Sequence, residues 1–225
     1  MRRLKNKKSI CLVFIYALLA TILCSFVVSC SSSEIYTFDG IYSLEASSEG
    51  RLTNYGTCFY INGKFVTNAH LVTYKSESEK VFYDNIIAKD FSGEKRYSLT
   101  PLDIDYEHDC CTLETPDYNG IVLHFDKNYK NNIGDRVFSV GNLNNYGLAY
   151  GFGMITSETK IISNTGFEIP YVQTNIEISS GCSGGPVFNT NHSVIGIMSM
   201  KLVNKYGESI DGASFYVPIS LIDIF

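Results

Sequence analysis

Short apolar and aromatic runs recur along the chain from residue 57 onward, separated by turn-forming Asn, Gly, Asp and Pro. The runs at 57–61 and 64–67 flank an Asn-Gly dipeptide, which predicts a β-hairpin because both turn residues accept a positive φ. Helical periodicity is confined to residues 69–74 and 220–225. Many short strands with so little helix predict an all-β barrel or sandwich. The same pattern predicts further strands at 80–83, 86–89, 110–114, 120–124, 136–140, 153–157, 171–175, 187–189, 194–199 and 213–217.

Composition agrees with a folded β protein. Hydrophobic residues make up 45% and charged residues 18% of the 225 residues, so the chain can bury a core and is neither disordered nor a coiled coil. The 16 Tyr and 14 Phe favour strands. From residue 34 onward no repeat, low-complexity tract or long linker divides the chain, which predicts one domain there.

The first 29 residues differ in charge pattern from the rest. The first eight carry five positive charges, and residues 9–29 carry none. A basic start followed by an apolar stretch is typical of an export signal. Cys30 follows Val-Val-Ser, and this run resembles the lipobox of bacterial lipoproteins, in which the cysteine is diacylated and the leader is cleaved before it. The alternative is an uncleaved signal anchor, because about 20 apolar residues can span a bilayer.

We therefore expect residues 1–29 to be a lipoprotein signal peptide, and the mature chain to be anchored through Cys30 on the periplasmic or cell-surface side of a bacterial membrane. Loss of the leader removes five basic and no acidic residues, so the net charge changes from -5 to -10. Nucleic acid is attracted by a basic surface. We expect no nucleic-acid partner, and a membrane contact through the lipid anchor.

The strongest chemical signal is the segment 180–187, Ser-Gly-Cys-Ser-Gly-Gly-Pro-Val. Glycines permit a sharp turn in which backbone N–H groups converge on one point, where they can stabilise an oxyanion. Ser183 in this turn is a candidate nucleophile. A serine hydroxyl needs a base that is itself oriented by an acid. Without such partners the alternative is that the segment is a structural turn.

The candidate partners precede it. His70 ends the box Thr-Asn-Ala-His, and Asp109 opens the mostly apolar run 109–113. In the order His, Asp, Ser, these boxes resemble the chymotrypsin-fold (trypsin-like) serine proteases, and most of all the protease domain of the HtrA (Deg) family, over roughly residues 56–222. The resemblance implies His70 as general base, Asp109 as orienting acid and Ser183 as nucleophile. It also implies an oxyanion hole formed by the N–H groups of Gly181 and Ser183.

For the fold, the resemblance implies two six-stranded antiparallel β-barrels and a short C-terminal helix. The protease domain would occupy residues 30–225, with its first barrel at about 36–125 and its second at about 130–220. We expect no PDZ domain after the last strand.

The resemblance also indicates which residues contact the substrate. Glu177, six residues before the nucleophile, corresponds to the base of the primary specificity pocket, and a neighbouring segment contributes Ser199, Met200 and Lys201. A carboxylate in that pocket would favour Lys or Arg before the scissile bond. Two alternatives stay open: Lys201 neutralises Glu177, or Glu177 turns outward because a buried unpaired carboxylate is costly.

Four further cysteines follow Cys30, at Cys58, Cys110, Cys111 and Cys182. Four cysteines permit three pairings. The resemblance places Cys58 and Cys182 near the active site, which suggests a bridge between them. Cys182 could itself be a thiol nucleophile, but the two glycines directly after Ser183 favour the serine. No cysteine or histidine spacing suggests a metal site, and we expect no metal and no cofactor.

Other residues fit the chemistry less well. His108 adjoins Asp109, and adjacent strand residues point to opposite faces, so His108 is not expected to be the base. Asp103 and Asp105 precede a more polar stretch than Asp109 does. The glycine-rich residues 147–153 have no P-loop lysine and no long helix after them, so we expect a loop rather than a phosphate site.

Two functions follow from these patterns. The first is an exported, membrane-anchored serine endopeptidase that cleaves peptide or protein substrates through an acyl-enzyme. The alternative is a catalytically inactive protease-fold lipoprotein that acts as a binding module. The complete set of His70, Asp109 and Ser183 favours the enzyme, whereas the unusual Cys182 before the nucleophile is the local reason to consider the alternative.

Overall fold

The structure is a computed structural model that describes residues 37–49, 53–76, 79–164 and 167–223. The expected leader and Cys30 lie outside these residues. In chain order, the strands are β1 (Ile41–Ser47), β2 (Asn54–Ile61), β3 (Lys64–Thr67), β4 (Thr73–Ser76), β5 (Glu79–Phe82), β6 (Asn85–Lys89), β7 (Arg96–Ser98), β8 (Thr100–Asp105), β9 (Cys110–Glu114), β10 (Arg136–Asn142), β11 (Leu148–Asn164), β12 (Phe167–Thr174), β13 (Pro186–Asn189), β14 (Val194–Val203) and β15 (Ser209–Pro218).

Among the residues that the structure describes, helix is scarce, as the sequence pattern predicts. The α-helix α1 (Ala69–Val72) follows β3, and 3-10 helices occupy Leu143–Asn145 and Ile219–Leu221. The C-terminal helix is therefore a single 3-10 turn. Among the described residues, no helix has the length and apolar character needed to cross a membrane.

The strands form two halves. In the first half, seven strands make one antiparallel sheet in the order β7-β6-β1-β2-β3-β9-β8, and β4 pairs with β5 as a separate hairpin. In the second half, six strands close into a barrel in the order β10-β11-β12-β15-β14-β13. The all-β class is confirmed. The first half differs in detail, because its seven strands form a sheet rather than a closed six-stranded barrel.

A shared hydrophobic cluster joins the halves. Phe59 and Ile61 of β2 belong to the same buried cluster as Phe138 of β10 and Phe188 of β13. The rings of Phe138 and Phe188 stack with their centroids 4.8 Å apart. Burial of each large apolar side chain contributes about 1.5–3 kcal/mol to the free energy of unfolding. The cluster packs one face of the first sheet against the barrel, and so fixes the two halves that carry the candidate site.

Three local predictions are wrong. Residues 120–124 form no strand; Leu123 makes only an isolated bridge to Ile61, because this segment connects the two halves. The glycine-rich residues 147–153 are not a loop from Leu148 on, since they begin β11 and pair with β10. The helix predicted at 69–74 ends at Val72, and Thr73 is already extended, with φ -125°.

Candidate active site

His70 and Asp109 meet at the end of the first sheet. β3 pairs with β9, and Thr67 at the end of β3 lies opposite Cys111 near the start of β9. The helix α1, which follows β3, and the residue that precedes β9 therefore lie next to each other at one end of these strands. The His70 Nδ1–H donates to Asp109 Oδ2 at 2.7 Å. Because a carboxylate can only accept, Nδ1 carries the proton and Nε2 keeps its lone pair. This tautomer can accept a proton from a hydroxyl.

The backbone and carboxylate of Asp109 are held from several sides. Its φ is 49°, a left-handed conformation that costs energy for a non-glycine residue. Its carbonyl accepts hydrogen bonds from Ala69 N at 3.1 Å and Asn68 Nδ2 at 2.9 Å. Its Oδ1 accepts from His70 N at 3.0 Å. These contacts offset the strain and fix the carboxylate against the imidazole.

Ser199 links this pair to the candidate nucleophile. A β-bulge lies between Met198 and Met200 in the pairing of β14 with β15, which leaves Ser199 outside the regular ladder. The Ser199 hydroxyl donates to Asp109 Oδ2 at 3.2 Å, and the Ser199 carbonyl accepts from Ser183 Oγ at 2.8 Å. Within the described part of the chain, no hydrogen bond joins Ser183 to His70. For His70 to accept its proton, the Ser183 hydroxyl has to turn from the Ser199 carbonyl and donate its hydrogen bond to His70 Nε2 instead.

A buried tyrosine extends this network. The Tyr171 hydroxyl lies 3.3 Å from Ser199 Oγ, and the Tyr171 side chain is buried. Burial raises the pKa of Tyr171 to about 12. Tyr171 is therefore neutral at physiological pH and adds no second negative charge beside Asp109.

The direction of the Gly181 N–H group follows from the peptide group that contains it. The Ser180 carbonyl accepts a hydrogen bond from Asn144 N at 2.8 Å. All described peptide bonds are trans, so the Gly181 N–H points away from that carbonyl. Among the described residues, it has no acceptor.

The same argument applies to Ser183. The Cys182 carbonyl accepts from Gly185 N at 3.1 Å, which directs the Ser183 N–H to the opposite side of the peptide. No acceptor for it is found in the parts of the chain that the structure describes. Two unpaired N–H groups flanking Cys182 are therefore available to an incoming oxygen atom.

Glycine is required at two positions of this loop. Gly181 has φ +92°, and a Cβ there would lie 2.1 Å from the Asn142 carbonyl oxygen. Gly184 has φ +80°, and its Cβ would lie 2.2 Å from the Thr57 carbonyl oxygen. Both positions combine a left-handed backbone with a close approach of another strand, and only glycine allows this combination.

The structure leaves Glu177 exposed and not paired with Lys201, in line with the alternative that its carboxylate turns outward. Glu177 is exposed and lines a cavity of about 430 Å³ together with Cys182 and Phe152. A buried carboxylate at the base of a pocket is therefore not formed. Lys201 Nζ lies 3.4 Å from Asp211 Oδ1, so its ion pair is not with Glu177.

Among the remaining residues of that segment, Ser199 is buried and Met200 is half-buried against the cluster that joins the halves. Another cavity, of about 210 Å³, adjoins the pair His70 and Asp109. Lys75 of β4 and Lys80 of β5 line it. The sequence pattern did not indicate these two lysines, because their place beside His70 depends on how the hairpin packs.

His108 and Asp105, the less favoured candidates for the base and the acid, pair with each other. His108 Nδ1 lies 2.7 Å from Asp105 Oδ2, and the His108 N–H donates to Asp105 Oδ1 at 3.0 Å. The carboxylate beside His70 is that of Asp109. In the described parts of the chain, no group of three or more His, Cys, Asp or Glu side chains is placed to hold a metal ion.

The suggested disulfide is wrong. Cys58 and Cys182 are free thiols, and so are Cys110 and Cys111. Cys58 packs in the core of the first half and Cys182 in the core of the barrel, so they belong to different clusters. Burial raises the pKa of the Cys182 thiol, which keeps it protonated and weakly nucleophilic.

Sequence comparison identifies related proteins. A family model described as "Trypsin-like peptidase domain" matches residues 56–197. The mitochondrial serine protease HTRA2 of Drosophila grimshawi is 28% identical over 206 residues, covering 88% of this chain and 45% of that protein. The protein of the same name from Drosophila erecta is 28% identical over 167 residues, covering 73% of this chain and 36% of that protein. The chain thus spans less than half the length of these relatives.

Solved structures share the fold. The HtrA-type protease AlgW with tripeptide superposes with a TM-score of 0.69 at 21% identity, covering 81% of this chain and 57% of that one. A serine endoprotease from Yersinia pestis superposes with a TM-score of 0.65 at 22% identity, covering 81% and 59%. The chymotrypsin-like architecture expected from the sequence is confirmed by these neighbours.

Proposed function

Because the chain belongs to the trypsin-like peptidase domain family, we propose that it is a serine endopeptidase in which Ser183 is the nucleophile, His70 the general base and Asp109 the orienting acid. The observation that carries this proposal is the hydrogen bonding of the loop that holds Ser183. Of the peptide groups there, the Gly181 and Ser183 N–H groups are left without an acceptor among the described residues. Two such donors beside a serine are what acyl transfer requires.

In the acylation step, Ser183 Oγ attacks the carbonyl carbon of a peptide bond while its proton passes to Nε2 of His70. The carbonyl oxygen becomes an oxyanion and accepts hydrogen bonds from the Gly181 and Ser183 N–H groups. Asp109, at 2.7 Å from Nδ1, stabilises the imidazolium that forms. The imidazolium then protonates the leaving amine as the C–N bond breaks, which leaves an acyl-serine.

In the deacylation step, a water molecule gives its proton to Nε2 of His70 and attacks the ester carbonyl. The same N–H groups stabilise the second oxyanion. Its collapse returns the proton to Ser183 Oγ and releases the carboxylic acid. Peptides are the proposed substrates, in keeping with the structural neighbour AlgW, which was solved with a tripeptide.

A fluorophosphonate probe tests the nucleophile. We expect it to label the wild-type protein and not Ser183→Ala, whereas Ser209→Ala, which removes an exposed serine from β15, should label normally. Wild-type protein that has not been treated with the probe should also cleave a casein or peptide-library substrate, and treatment with the probe should abolish this cleavage. A folded wild type that neither labels nor cleaves would instead support the inactive binding module.

We also propose that the protein is exported and anchored through Cys30, on the strength of the leader sequence alone. Growth with an alkyne fatty acid should label the wild-type protein. Cys30→Ser should abolish this label, and Cys24→Ser, which changes a cysteine inside the apolar run, should keep it. Retention of the label in Cys30→Ser would refute lipidation at this position.

A further inference from the structure

Thr57 is a buried polar residue at the boundary between the two halves. It lies on β2 of the first sheet and has no exposed surface. Its neighbour Cys58 points into the core of the first half. Because adjacent residues of a strand face opposite sides, Thr57 faces the barrel and the loop that carries Ser183.

Thr57 makes three hydrogen bonds to the second half. Its N–H donates to the Ser183 carbonyl at 2.9 Å, and its hydroxyl donates to the Gly181 carbonyl at 2.7 Å. The same hydroxyl accepts a hydrogen bond from Asn142 N at 2.8 Å. Thr57 is itself fixed, because its carbonyl accepts from Thr67 Oγ1 at 2.7 Å.

The bonded carbonyls belong to Gly181 and Ser183, the two residues whose N–H groups have no acceptor among the described residues. Each residue joins two peptide groups at its Cα, so holding the carbonyl on one side limits how far the N–H on the other side can turn. Gly181 needs this restraint most, because glycine has the widest backbone freedom. Asn144 holds its preceding peptide group, and Thr57 holds the following one.

We infer that the Thr57 hydroxyl is a positioning group for the oxyanion hole, an inference that rests on the proposed serine protease function. Thr57 touches no reacting atom. It acts through Gly181, and the first half of the chain thereby sets the geometry of donors that belong to the second. Loss of the hydroxyl should therefore weaken binding of the transition state more than binding of the substrate.

A buried threonine could instead contribute only to stability, and Thr174 offers a matched control. Thr174 is also fully buried, its hydroxyl donates to the Met154 carbonyl at 2.9 Å, and it accepts from Ile176 N at 3.3 Å. Thr174→Val removes the same pattern of hydrogen bonds from β12. It should lower the melting temperature and leave kcat near the wild-type value.

The experiment compares Thr57→Val, Thr57→Ser and Thr57→Ala in peptide hydrolysis. For Thr57→Val we expect kcat to fall about 10- to 100-fold with KM little changed, since a whole oxyanion donor is worth about 100- to 1,000-fold. Affinity for a peptide aldehyde, whose hemiacetal oxygen occupies the oxyanion position, should fall in parallel. Thr57→Ser should restore most of kcat, and Thr57→Ala should not.

A folded Thr57→Val with wild-type kcat and aldehyde affinity would overturn the inference while the proposed function stands. If Thr57→Val does not fold, the Ser and Ala variants decide, because both lack the methyl group and they differ only in the hydroxyl. Equal kcat in these two would also overturn it. A wild-type protein without turnover would refute the proposed function itself, and the role of Thr57 with it.

Discussion

Replacement of Gly181 by alanine is the sharpest test of the loop geometry. An alanine in the left-handed conformation costs about 1–2 kcal/mol, and the φ of Gly181 is +92°. The added Cβ would also lie 2.1 Å from the Asn142 carbonyl oxygen, where an ordinary contact begins at 3.4 Å. The loop and β10 must therefore separate by roughly 1 Å, a displacement that can cost about 100-fold in rate when it affects a catalytic group.

We thus expect Gly181→Ala to lower kcat by about 100- to 1,000-fold in a fluorogenic peptide assay, the range for loss of one oxyanion donor. Its free energy of unfolding, measured by urea denaturation, should fall by at least the 1–2 kcal/mol or so of the backbone conformation. Gly63→Ala is the control, because Gly63 has φ +81° in the β2–β3 turn and nothing lies within 4 Å of its Cβ position. Gly63→Ala should lose a similar free energy of unfolding for the backbone conformation and keep the wild-type kcat.

Comparable turnover of Gly181→Ala and wild type would refute this reasoning. So would equal losses of kcat in Gly181→Ala and Gly63→Ala, because the effect would then follow from stability alone. Proper folding of each variant can be checked by near-ultraviolet circular dichroism before kinetics are measured.

Two further predictions concern charge. The Tyr129 hydroxyl donates a hydrogen bond to Asp135 at 2.8 Å and lowers the pKa of that carboxyl. The stabilisation that the ionised carboxylate gives is therefore present above the ordinary carboxyl pKa and is lost as pH falls through the lowered value. Asp135→Asn should lower the melting temperature at pH 7, and this difference from wild type should close in acid. Lys75 and Lys80 lie directly opposite each other and line the cavity beside His70 and Asp109. Changing both to Glu should reduce kcat/KM for peptides with an acidic residue near the scissile bond by about fivefold at low salt. Lys130→Glu, which changes an exposed lysine that does not line this cavity, should not do so; an unaltered preference in the double variant would contradict the reasoning.

Local sequence patterns predicted those parts of the fold that depend on neighbouring residues. The hairpin around Asn-Gly and the strand at Cys110–Glu114 appear where expected. β7 and β8 were missed because they are short strands towards the two edges of the sheet, and many of their side chains are exposed. Exposed edge strands lack the apolar alternation by which strands are recognised.

The residues of the candidate site also differ in whether local sequence reveals them. His70, Asp109 and Ser183 each stand in a recognisable local box, so they could be proposed from the sequence. The roles of Thr57 and Asn144 could not, since both act through hydrogen bonds to residues far away in the chain. The outward turn of Glu177 could not be chosen from the sequence, because its position relative to Ser183 says nothing about which way its side chain turns.

The division of the site between two halves has a consequence for the life of the chain. The first half carries His70, in the helix after β3, and Asp109, just before β9, whereas the second half carries Ser183, in the loop before β13. A chain that is still being synthesised, with only one half folded, does not yet bring His70 and Asp109 together with Ser183. If the protein is the protease proposed above, a chain can cleave peptide bonds only after the last strand has closed the barrel. Incompletely folded chains therefore cannot cleave one another.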